Sequence, residues 1–109
     1  MAEKNLMGEI KETMEFAGEA APELQNKFME FNRVVLGKGI LSVKEKELIA
    51  IALSLSSSCE WCITFHVKMA LQNGASKKEI VEAAYVSVLM SGAPALMHMH
   101  ILKEALEGQ

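Results

Sequence analysis

A chain of 109 residues with net charge −3 and an apolar share of 50 % already excludes several classes of function. It fits one domain with a buried core, lacks the clustered lysines and arginines of a nucleic-acid binder, and has no apolar run near the ~20 residues of a membrane span. The N-terminus, with Glu3, Lys4 and Glu9, has no basic stretch leading into an apolar one, so no leader is expected and the chain reads as cytoplasmic. Eight methionines, two prolines and few aromatics favour helices, and the apolar share is high for a small monomer, so other subunits are expected to cover part of it.

The predicted elements are all helical. Residues 4 to about 17 form a first helix with Leu6, Ile10, Met14 and Ala17 on one stripe, stopped by Gly18 and Ala21-Pro22. Pro22 suits a first helical position. Leu24, Phe28, Phe31 and Val35 then repeat at helical steps up to Leu36-Gly37. The Gly37-Lys38-Gly39 turn is too short for a phosphate-binding loop.

Ser42-Val43-Lys44-Glu45 has the form of a capping box and opens a third helix to about Ser56. Its second half, Leu48 to Leu53, is apolar nearly all round, as in a helix enclosed on several sides. A fourth helix begins after the serine run, with Ser58 as expected N-cap, and stops at Asn73-Gly74. Ser76-Lys77-Lys78-Glu79 is a second capping box, opening a fifth helix that Ser91-Gly92-Ala93-Pro94 breaks. A sixth takes Ala95 to about Leu106. With no strand alternation and no linker, the fold class is all-α: one domain over residues 1–109, a bundle of about six helices.

Chemistry concentrates in Ser58-Cys59-Glu60-Trp61-Cys62-Ile63-Thr64-Phe65-His66. On a helix, Cys59, Cys62 and His66 share one stripe, at spacings of three and four. Near a helix N-terminus, where the dipole favours anions, two thiols beside an imidazole suit thiol redox chemistry. Glu47 belongs to the same group. If the third and fourth helices are antiparallel and turn near Ser57, Glu47 lies ~15 Å back from the turn and His66 ~14 Å beyond it, at nearly equal height. A carboxylate there can orient the imidazole. The bland alternatives are a solvated Glu47, a packing histidine and two inert buried thiols.

The joint pattern of Glu47, eleven residues, Cys59, two residues, Cys62, three residues and His66 resembles the signature of the alkyl hydroperoxidase D-like family, within the carboxymuconolactone decarboxylase superfamily. Residues from about 35 to 106 look like the superfamily's helical unit. The resemblance implies a cycle of Cys59 and Cys62 between dithiol and disulfide, with Glu47 and His66 as proton relay for the attacking cysteine. It implies a thiol-dependent peroxidase or disulfide oxidoreductase with no cofactor or metal, a peroxide or disulfide substrate, a thiol reductant and a homo-oligomer, commonly a trimer or hexamer. Between the cysteines this chain has Glu60 and Trp61, where well-known peroxidase members carry a histidine before the second cysteine. Muconolactone decarboxylases proper lack the cysteine pair.

Two alternatives of other classes stand beside it: a non-redox lyase of the decarboxylase kind, and a non-enzymatic helical oligomer that binds a small ligand. Glu47, Cys59, Cys62 and His66 are also permissible zinc ligands, though an unusual set. His98 and His100 point ~200° apart on a helix and cannot easily grip one ion. Trp61 and Phe65 are expected to wall a small apolar pocket, or to be core.

Overall fold

A computed structural model describes residues 5–108. Among them are six α-helices and no strand: α1 (Leu6–Ala20), α2 (Pro22–Leu36), α3 (Val43–Ser56), α4 (Glu60–Gln72), α5 (Lys77–Ser91) and α6 (Ala93–Glu107). The all-α reading holds.

Local chemistry sets most boundaries. Ser42 Oγ accepts from the Glu45 N–H at 3.0 Å, and Glu45 Oε1 accepts from the Ser42 N–H at 2.8 Å. Ser76 and Glu79 repeat this at 3.1 and 2.8 Å, so both capping boxes form. Pro22 is the first residue of α2, where its missing N–H costs nothing. After α4, Gly74 takes φ +90°, a backbone region that favours glycine.

Two boundaries differ from expectation. The first helix runs through Gly18 to Ala20, because one interior glycine costs only about 1 kcal/mol and a helix absorbs that. Its N-cap is Asn5, whose side chain accepts from the Gly8 N–H; the expected start at position 4 lies outside the described residues. The sixth helix begins at Ala93 instead of Ala95, since Pro94 falls in its first turn, where no N–H is required.

The contacts divide into two compact units, Met1–Gly37 and Lys38–Gln109. In the first, α1 packs on α2, and none of the residues of α2 is buried. In the second, α3 packs on α4 and α5, and both of these pack on α6. Its core is Ile51 and Leu55 from α3, Ile63, Val67 and Ala70 from α4, Ile80 and Ala84 from α5, and Ala95, Leu102 and Ala105 from α6. Full burial of an Ile, Leu or Val contributes about 1.5–3 kcal/mol relative to exposure, so Ile51, Leu55, Ile63 and Val67 clamp α3 and α4 side by side. That clamp positions the residues described next.

The third helix is not enclosed as its composition suggested. Ile51 and Leu55 face the core, whereas Ile49 and Leu53 face outward.

Candidate functional site

The turn between α3 and α4 is tight. Ser58 occupies φ +55°, a left-handed conformation that costs a non-glycine residue about 1–3 kcal/mol. The Ser58 N–H bonds to the Leu55 carbonyl and the Cys59 N–H to the Ser54 carbonyl, at 3.2 and 3.1 Å. These bonds hold the turn, and the left-handed residue is spent on reversing the chain. The N-cap is therefore Cys59, one residue later than expected: its Sγ accepts from the Cys62 N–H at 3.2 Å.

Cys59 and Cys62 are joined as a disulfide across one turn of helix, with Cα atoms 5.2 Å apart. His66 lies one turn beyond Cys62 on α4. Its Nδ1 stands 2.6 Å from Glu47 Oε1, so the height match between the two helices is realised as a direct contact. Glu47 is only 1 % exposed. A carboxylate so placed accepts, so the imidazole donates from Nδ1 and Nε2 is left as its working nitrogen. The Phe65 and His66 rings stand nearly perpendicular, with centroids 5.2 Å apart.

An open depression of about 560 Å³ lies over this arrangement. Ala50, Leu53, Ser54, Ser56 and Ser57 line it from α3 and the turn, and Cys62 and His66 from α4. Cys62 thus shares a surface with the imidazole, whereas Cys59 is engaged at the helix end. Trp61 and Phe65 are not among the lining residues, so the pocket wall expected of them is formed by α3 instead.

The remaining candidates stay apart. His98 Nδ1 is 2.8 Å from the Pro94 carbonyl, and His100 Nε2 is 2.8 Å from Glu104 Oε1. Among the described residues no three His, Cys, Asp or Glu side chains are grouped to hold a metal ion. Among the same described residues, no helix is long and apolar enough to cross a membrane.

One group was missed in the sequence. Ser56, at the end of α3, contacts Ser87 at 2.6 Å and Ser91 at 2.8 Å, both on α5. The pairs are 31 and 35 residues apart, and no local spacing announces them.

A six-helix chain with this cysteine–imidazole–carboxylate geometry defines a class, and comparison with known proteins gives the family. The sequence model of the carboxymuconolactone decarboxylase family matches residues 22–105, and the chain belongs to that family. Among solved structures it is similar to an apo carboxymuconolactone decarboxylase family protein of Legionella pneumophila, with TM-score 0.89 and 31 % identity over 94 % of this chain and 92 % of that one. It is also similar to a family member from Thermotoga maritima, for which involvement in an antioxidative response has been suggested, with TM-score 0.80 and 28 % identity over 95 % and 92 % of the two chains. An uncharacterised protein of the Paracoccus denitrificans cox locus is 35 % identical over 72 % of this chain and 71 % of its own length.

Proposed function

We propose that the chain is a thiol-dependent peroxidase, with disulfide exchange as the second half of its cycle, in which Cys59, Cys62, Glu47 and His66 are the catalytic group. The observation that carries this reading is the buried 2.6 Å contact between Glu47 and His66, with Cys62 in the same depression as the imidazole. The suggestion of an antioxidative role for the Thermotoga maritima protein points the same way.

In the reduced protein, His66 Nε2 takes the Cys62 proton while Glu47 steadies the resulting imidazolium. The Cys62 thiolate attacks the terminal oxygen of a hydroperoxide. An S–O bond forms, the O–O bond breaks, and the alkoxide leaves as the alcohol after receiving the proton from His66. The Cys59 thiol condenses with the Cys62 sulfenic acid, giving the disulfide and one water. A dithiol reductant then attacks the Cys62 sulfur from the depression and expels Cys59 as thiolate, and the reductant becomes the disulfide. The Cys62 N–H and the N-terminus of α4 suit Cys59 to that departure, because both favour negative charge on its sulfur. Cys62 is accordingly the attacking residue and Cys59 the resolving one. No cofactor takes part in these steps.

The enzyme is further proposed to be a cytoplasmic homo-oligomer, a trimer or hexamer. Outward-facing Ile49, Leu53, Val86, Leu89 and Met90 support the association of copies.

The test is peroxide consumption with a dithiol reductant in wild type, Cys62→Ser and His66→Gln. Cys62→Ser is expected to show no turnover and His66→Gln a rate reduced about 10²- to 10⁴-fold, the range for loss of a general base. Equal rates in all three would end the proposal. Lyase activity that survives replacement of both cysteines would place the chain in the non-redox branch.

A further inference from the structure

Three hydroxyls meet beside the depression, and their hydrogen-bond directions can be worked out. Ser91 Oγ donates to Ser56 Oγ at 2.8 Å. Ser56 and Ser87 lie 2.6 Å apart, and either could donate. Ser87 is only 2 % exposed, and among the described residues its hydroxyl has no hydrogen-bond partner but Ser56. A buried hydroxyl proton without an acceptor costs about 1–3 kcal/mol. Ser87 therefore donates to Ser56.

A serine oxygen has two lone pairs and one proton. With Ser87 and Ser91 both donating, the Ser56 lone pairs are filled and its own proton must go elsewhere. Ser56 is an exposed residue, and it lines the depression with Cys62 and His66. The two neighbouring hydroxyls do not compete for this role: Ser54 donates to the Ala50 carbonyl at 2.6 Å and Ser57 to the Ser54 carbonyl at 3.2 Å. A hydroxyl that accepts two hydrogen bonds is also polarised into a better donor.

We infer that Ser56 is the donor that meets the leaving oxygen of the peroxide, so that the depression is built for a hydroperoxide in preference to a disulfide. This rests on the peroxidase reading above. As the Cys62 thiolate attacks the terminal oxygen, negative charge gathers on the oxygen that bears the alkyl group. The Ser56 hydroxyl donates a hydrogen bond to that oxygen as the O–O bond breaks, and His66 supplies the proton that turns it into the alcohol. A leaving thiolate is far less basic than an alkoxide and its charge is spread over a larger atom, so it gains less from the same hydroxyl. Ser87 and Ser91 are positioning residues: they aim the Ser56 proton.

The deciding experiment is single-turnover oxidation of the reduced protein, with tert-butyl hydroperoxide and with diethyl disulfide, alongside a titration of thiolate absorbance. Ser56→Ala is expected to slow the hydroperoxide reaction about tenfold, the size of one hydrogen bond gained in the transition state. It should slow the disulfide reaction by less than about twofold and leave the thiolate titration unchanged. Ser56→Thr, which keeps the hydroxyl, should restore the hydroperoxide rate. A hydroperoxide rate in Ser56→Ala equal to wild type overturns the assignment, and so does an equal slowing with both oxidants. A wild type no faster with hydroperoxide than free cysteine overturns the peroxidase reading, and this inference with it.

Discussion

At the scale of single residues, Glu47 is the most exacting side chain of the molecule. A carboxylate excluded from solvent is costly unless paired, and its partner here is one imidazole nitrogen. Glu47→Gln keeps the shape and one polar contact but removes the charge that steadies an imidazolium. It is expected to lower the single-turnover rate with hydroperoxide about 10²-fold, within the usual range for general acid–base catalysis, while urea unfolding changes little. Glu47→Ala should instead unfold earlier, by about 2–4 kcal/mol, because it leaves a cavity and an unpartnered ring. A catalytic role thus separates from a structural one: if Glu47→Gln oxidises as fast as wild type, the carboxylate only packs.

The meeting of Glu47 and His66 was legible in the sequence, since helical rise alone places them level on antiparallel helices. The cap of α4 was not. Ser56, Ser57, Ser58 and Cys59 all have side chains able to accept a backbone proton. Only the folded turn, with Ser58 at φ +55°, shows that the last of them does so. The serine trio was equally hidden, because it depends on which faces of α3 and α5 meet.

At the scale of elements, the two capping boxes tie helix formation to pH. Glu45 is held below its ordinary value of 4.5, first by the Ser42 N–H and then by the Ser42 side chain. Glu79 is lowered first by the Ser76 N–H and then by its bond to Lys44, which reaches across from α3 at 3.0 Å. A carboxylate whose folded value is depressed takes up protons more readily when unfolded. Its contribution is therefore complete above the unfolded value and drains away as pH falls through the folded one. Stability should decline as pH drops below 4.5, and Glu79→Gln should flatten part of that slope. Thermal melts across the acid range read both outcomes. Ser76→Ala, which removes the reciprocal acceptor, is expected to cost about 1 kcal/mol at neutral pH. The boxes were readable because their partners are three residues apart. Helix ends that depend on a tolerated Gly18 or a first-turn Pro94 were misplaced by two or three residues.

At the scale of the whole molecule, the unexplained quantity is apolar surface. The second unit buries one row of α3 and leaves another in solvent, and on α5 Leu89 and Met90 are 82 % and 79 % exposed. Large apolar side chains left this exposed mark interaction sites where they form a patch, and the same apolar excess is legible in the composition. If copies of the chain cover one another there, a charge in the patch should drive them apart. Leu89 is a suitable position because it does not line the depression over Cys62. Sedimentation equilibrium is expected to find wild type as a trimer or hexamer and Leu89→Glu shifted toward the single chain, with helical circular dichroism retained. A monomeric wild type would leave the patch to a different partner and remove the homo-oligomer from the proposal. Measuring single-turnover oxidation in Leu89→Glu then tells whether one copy suffices for the chemistry. Since Glu47, Cys59, Cys62 and His66 all come from one α3–α4 pair, the rate is expected to stay within about threefold of wild type, a barrier change below ~1 kcal/mol.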